Sequence, residues 1–104
     1  MQEITSSDEF SQKVLNFKGK VLVDFWAPWC GPCRVLTPVI DQVAEDFAGR
    51  ADIAIVKVNI DKVPDLAQKY DVQAIPTVSL FENGELKQTL QGLRGKQDYL
   101  DLLS

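Results

Sequence analysis

The chain holds two cysteines and no histidine. Both cysteines fall in one stretch, "FWAPWCGPCRVL", as Cys30 and Cys33. A strand-like apolar run precedes them and a helical pattern follows, so the pair sits where a strand hands over to a helix. If Cys30 opens that helix, Cys33 lies one turn on and on the same face, with roughly 5 to 6 Å between Cβ atoms. A reversible disulfide is within reach at that separation. The first turn of a helix leaves main-chain N–H groups unpaired and carries partial positive charge, and both favour a thiolate over a thiol. Cys30 is therefore expected to be the more acidic, attacking sulfur. Cys33, inside the helix with the apolar residues Leu36 and Ile40 nearby, is expected to be more buried, less acidic and the resolving thiol. Pro32 presets a helical φ where a missing N–H costs least, and Gly31 leaves the approach to the sulfurs open.

Other chemistries fit these residues less well. Zinc takes about four protein ligands, so two thiols without histidine leave room for a metal only if two chains share it. The missing histidine also removes the usual base for a cysteine nucleophile, and the helix terminus and nearby charges must do that task. A structural staple is a poor reason for the spacing, since closing so short a loop restricts the unfolded chain by about 2 kcal/mol, against about 5 for a long one.

Asp24 interrupts the apolar run "VLVDFWA". An unpaired carboxylate on a strand covered on both faces is costly, so it must be protonated, paired or watered, with a raised pKa. Lys57 interrupts a second apolar run and admits two compatible roles. It is a structural ion-pair partner for Asp24, or the charge that poises Asp24 to take the proton from Cys33. A lone tryptophan is most often a core residue, but the place of Trp29 just before Cys30 favours a surface over the active edge. Pro76, in "AIPTVSL", stands at a strand start, where proline is tolerated. Residue types alone leave the isomer of the Ile75–Pro76 bond open.

The elements that must position these residues are legible as patterns. "TSSDEF" reads as a helix start, with Ser6 as cap and Glu9 completing a capping box. Phe10, Val14 and Phe17 form the stripe of that helix, which is expected to end near Gly19. "VLVDFWA" reads as a strand buried on both faces. From Pro32 to Phe47 the residues Val35, Leu36, Val39, Ile40, Val43 and Phe47 follow helical spacing, and Pro38 inside the run predicts a kink. "ADIAIVKVNI" is a second β-rich run, "KVPDLAQKY" a short helix entered at Pro64, and "PTVSLFENGELKQTL" two strands joined by a hairpin at Asn83-Gly84. "KQDYLDLLS" is the last helix. The long crossover helix requires parallel strands and the hairpin antiparallel ones, so the sheet is mixed, with helices on both faces. Ligands of such open sheets sit beyond the carboxyl ends of strands, which is where Trp29 to Cys33 lie.

Length and composition bound the function. At 104 residues one domain, residues 1–104, is expected. No segment approaches the ~20 apolar residues of a membrane span. The net charge is −4 with the charges interleaved, so nucleic acid is an unsuitable partner. "MQEITSSDEF" shows no secretory signal, which leads to the expectation of a cytoplasmic protein. A monomer is expected, since no sticky helix or strand pattern stands out.

At this point the chain resembles the thioredoxin family over essentially its whole length. The resemblance rests on "VDFWAPWCGPC" at 23–33, Pro38, "VNID" at 58–61, "IPT" at 75–77, the "NG" hairpin and Gly92. It implies an α/β thioredoxin fold, a central mixed sheet of about five strands flanked by about four helices on both faces. It implies a protein dithiol-disulfide oxidoreductase that needs no cofactor, serves disulfide-containing proteins and is recharged by a thioredoxin reductase, NADPH- or ferredoxin-dependent. Carried over by position, Cys30 is the nucleophile, Cys33 the resolving thiol, and Asp24 with Lys57 the buried charges that assist proton transfer. Pro76 is the family's cis-proline, followed by Thr77. Trp29, Gly31, Pro32, Ile75, Pro76, Thr77 and Gly92 form the groove for substrate polypeptide. Leu93 and Arg34 depart from the common pattern, where a small residue and a lysine are usual, and bear on partner preference. Gly-Pro between the cysteines resembles the reducing members of the family rather than the oxidising ones. A rival of a different class is a redox-independent binding or subunit module that uses the same groove.

Overall fold

The computed structural model describes residues 1–104. The elements run β1 (Gln2–Ile4), α1 (Ser7–Phe10) continued by a π-helical turn over Ser11–Leu15, β2 (Lys20–Trp26), α2 (Gly31–Asp46), β3 (Ile53–Asn59), α3 (Pro64–Lys69), β4 (Thr77–Glu82), β5 (Glu85–Gln91) and α4 (Lys96–Leu103). The sheet order is β1-β3-β2-β4-β5. β3 pairs parallel with β1 and β2, while β2–β4 and β4–β5 are antiparallel. This is the mixed five-strand sheet of the thioredoxin fold.

Strand periodicity divides the core in two. Val21, Val23 and Phe25 of β2 join Val56 and Val58 of β3 against Phe10, Val14, Val63 and Leu66. Leu22, one residue out of phase, joins Ile53, Ile55, Val78 and Leu80 against Leu36, Ile40 and Val43 of α2 and Tyr99, Leu102 and Leu103 of α4. Asp24 and Trp26 share the phase of Leu22, so β2 turns a carboxylate toward the α2 and α4 side. The strand is central and both its faces are covered, which is why its sequence is apolar nearly throughout.

Two elements depart from the sequence expectation. β1 gave no local pattern of its own, because only Ile4 of its three residues is buried and its place depends on pairing with β3. The first helix ends at Leu15 rather than near Gly19, and its second half is wound as a π-helix. Its cap is as expected, the Glu9 N–H donating to Ser6 Oγ at 3.1 Å, but the Glu9 carboxylate reaches back to the Thr5 N–H at 2.7 Å instead of to Ser6. The hairpin after β4 turns at Asn83 and Gly84, with φ of 51° and 83°. A Cβ at Gly84 would meet the main-chain carbonyl of Leu15, so the turn needs glycine both for its φ and for the close approach.

Candidate redox site

The apolar β2 delivers the chain to the sheet edge at Trp26, and α2 begins five residues later at Gly31. Cys30 is the cap of α2, with extended backbone at φ −90° and ψ 109°, and its Sγ accepts the Cys33 N–H at 3.2 Å. A sulfur thus stands where a serine or aspartate oxygen would normally satisfy the open N–H groups of a helix start. An anion there would gain both from that N–H and from the positive end of the helix, which is the ground of the sequence expectation for Cys30. Gly31 is exposed with open space where a side chain would be, and Pro32 occupies the first turn as expected.

Cys30 and Cys33 form a disulfide, their Cα atoms 5.3 Å apart. Cys33 is 1% exposed and Cys30 5%, in the expected order. Ala27 completes their small cluster, and Trp26, Ile60 and Ile75 pack against it. The Ile75 carbonyl oxygen lies 3.8 Å from Cys30 Sγ. The Ile75–Pro76 bond is cis, which resolves the isomer that residue types left open. Gly92, at φ 81°, donates its N–H to the Pro76 carbonyl at 2.9 Å, so the loop after β5 is tied to the proline turn. Thr77 sits differently from a groove-lining side chain. It is 1% exposed and its hydroxyl donates to the Ala74 carbonyl at 2.5 Å, which braces the turn from within.

Trp29 is 66% exposed and belongs to the surface, not the core. Its indole N–H donates to both carboxylate oxygens of Asp61, at 3.0 and 3.2 Å, and Asp61 is itself held by its N–H donating to Asn59 Oδ1 at 2.9 Å. Asp61 was not singled out as a site residue in the sequence. The signal was present as the acid of "VNID", but its partner lies 32 positions away. Leu93, next to Gly92, and Val35 of α2 are also exposed apolar side chains.

Asp24 and Lys57 are register partners on β2 and β3. They do not make the direct ion pair that was one reading of them. The Lys57 ammonium lies 4.7 Å from the centre of the Trp26 ring, in a cation–π contact. Asp24 is 2% exposed, and its Oδ1 meets no protein hydrogen-bond partner. Burial pushes its pKa up to about 7, with Lys57 opposing the rise and Asp41 of α2 adding to it. A carboxylate titrating near neutrality, on the sheet face that α2 covers, has the acidity required of a group that takes a proton and returns it.

Known proteins share this architecture. The family profile described as "Thioredoxin" matches residues 2–104. A thioredoxin of Rickettsia felis is 41% identical over 104 residues, spanning 100% of this chain and 97% of the relative. "Thioredoxin M-type, chloroplastic" of Spinacia oleracea is 42% identical over 101 residues, covering 97% of this chain and 54% of that protein. The crystal structure of Malassezia sympodialis thioredoxin (Mala s 13) superposes with a TM-score of 0.86 at 33% identity, covering 98% of this chain and 87% of the other. With whole-chain similarity in sequence and fold, and a Cys-Gly-Pro-Cys disulfide at the start of α2, the chain belongs to the thioredoxin family and is a protein dithiol-disulfide oxidoreductase.

Proposed function

We propose that the chain works as a general reductant of protein disulfides, with Cys30 attacking and Cys33 resolving. The observation that supports this order is the capping sulfur: Cys30 Sγ, not Cys33 Sγ, accepts a main-chain N–H at the helix start. In the dithiol form the Cys30 thiolate attacks one sulfur of a substrate disulfide and expels the other as a thiolate. The resulting mixed disulfide joins Cys30 to the substrate. Cys33 then gives its proton to the Asp24 carboxylate and attacks Cys30 Sγ, releasing the substrate's second sulfur and closing the Cys30–Cys33 disulfide. Two electrons pass to the substrate, which leaves as a dithiol, and a thioredoxin reductase returns them. Lys57 favours the charged form of Asp24, so the acceptor is partly ionised near neutral pH. Trp29, Gly31, Pro32, Ile75, Pro76 and Gly92 receive the substrate polypeptide around the sulfurs, and Thr77 supports them from beneath.

In this reading residues 1–104 act as one domain and as a monomer. The cytoplasm suits it, since a dithiol reductant needs a thiol pool that keeps it reduced; no helix is long and apolar enough to cross a membrane. Insulin reduction tests the chemistry. Wild type is expected to be active, Cys30→Ser dead, and Cys33→Ser to accumulate a trapped mixed disulfide. A wild type no faster than a free small dithiol would overturn the reading. The exposed apolar side chain of Trp29 beside the disulfide favours a second role, redox-independent binding of a partner protein. A Cys30→Ser, Cys33→Ser double variant that keeps full biological function would place that role first.

A further inference from the structure

Tyr99 is fully buried in α4, yet its hydroxyl meets no protein hydrogen-bond partner. Its ring packs in the same cluster as Leu22 and Val78. Leu22 stands two residues before Asp24 on β2, and Val78 is the cross-strand partner of Asp24. The phenol therefore lies on the sheet face from which the Asp24 carboxylate rises, where Asp24 Oδ1 and Trp26 Nε1 are the other buried polar atoms without a protein hydrogen-bond partner. Buried polar groups are rarely left unsatisfied, and single waters commonly pair those that lack a protein partner.

We propose that Tyr99 is a positioning residue for the thiol proton transfer, its hydroxyl donating through one enclosed water to Asp24 Oδ1. The proposal rests on the reading of Asp24 as the proton acceptor for Cys33. The chemistry has a fixed direction. Burial and then the neighbouring Asp24 charge raise the phenol's pKa, with Asp98 adding to the rise and the Arg94 main-chain N–H and guanidinium opposing it, so Tyr99 keeps its proton and stays a donor. Around Asp24 the other charged groups are Lys57 from β3 and Asp41 from α2. A donor aimed at the carboxylate favours its ionised form. Without it, Asp24 would hold its proton more tightly and fewer molecules would have an acceptor ready for Cys33.

The test is the Asp24 titration itself, followed by carboxyl carbon-13 NMR in the oxidised protein. Tyr99→Phe keeps the ring and removes only the hydroxyl. It is expected to raise the Asp24 pKa by about one unit, a tenfold change in proton affinity. The alkaline shift should reappear in the pH profile of mixed-disulfide resolution. An unchanged Asp24 pKa in folded Tyr99→Phe overturns the proposal, as does a shift seen only in Tyr99→Leu, which would trace it to ring packing. The acceptor role is tested apart from this, by resolution in Asp24→Asn. Resolution as fast as wild type would remove Asp24 from the mechanism, while the Tyr99–Asp24 coupling would still be read directly from the NMR titration.

Discussion

Replacing Asp24 by asparagine should make the protein more stable, and by an amount that depends on pH. The carboxylate titrates at 3.8 when unperturbed and at about 7 in the fold. The native state therefore binds this proton more tightly than the unfolded chain. Linkage then requires that the stability associated with it be fully present below pH 3.8 and be lost as pH rises through about 7. At 1.36 kcal/mol per unit, the rise amounts to about 4 kcal/mol, carried in full once the group is ionised in both states. Asparagine has nearly the shape of the protonated acid and cannot ionise. The variant and wild type should therefore be separated by less than about 1 kcal/mol at pH 4, and the variant should be more stable by about 4 kcal/mol above pH 8. Denaturant unfolding of both oxidised proteins across that range measures the gap, and the contributions of titrating groups that do not interact with Asp24 cancel in the difference. A gap that stays constant with pH would show that the carboxylate does not titrate abnormally. An asparagine variant less stable at pH 8 would show that Asp24 is an ionised member of a favourable pair, and that burial is not the governing effect.

Two further outcomes follow from particular contacts. Gly84→Ala should destabilise by about 1 to 3 kcal/mol, because the residue has positive φ and its new methyl would meet the Leu15 carbonyl; a thermal melt unchanged from wild type would refute the turn geometry. Trp29→Ala should leave stability within about 0.5 kcal/mol, since the ring is mostly exposed, while slowing insulin reduction more than reduction of a small aromatic disulfide. Equal slowing of both would mean that the indole acts on the sulfurs and not on the polypeptide.

What could be read in the sequence was what is encoded locally. The thiol pair needs only an i,i+3 spacing, a helix start and a proline in the first turn, all within "WCGPC", and the structure puts Cys30 at the cap. β2 was legible because a strand covered on both faces is apolar at nearly every position, and α2 because Leu36, Ile40 and Val43 keep one helical face. β1 was not legible: three residues with one buried side chain carry no period, and only pairing with β3 makes them a strand. The end of the first helix was missed because Phe17 continues its apolar spacing, although the chain has already left the helix at Leu15.

The surroundings of the sulfurs are a different matter, because they are assembled from segments far apart in the chain. Asp24 and Lys57 were visible as interruptions of apolar strands, but an interruption says nothing of where a flexible lysine will point. In register with Asp24, Lys57 nonetheless extends over Trp26, since an ammonium above an indole face keeps cationic attraction without the desolvation that a buried ion pair demands. That choice leaves Asp24 without a salt-bridge partner and its pKa near neutrality, where a tight pair would have held it low and useless as an acceptor at neutral pH. Tyr99 was hidden for a similar reason. In "KQDYLDLLS" an aromatic at a core position of a helix reads simply as packing, and only the packing of α4 with α2 on one face of the sheet brings its hydroxyl to the side that carries Asp24. The proposed order of attack therefore rests on one turn of helix, whereas the pH proposed for the second thiol's action rests on contacts that no short stretch of sequence contains.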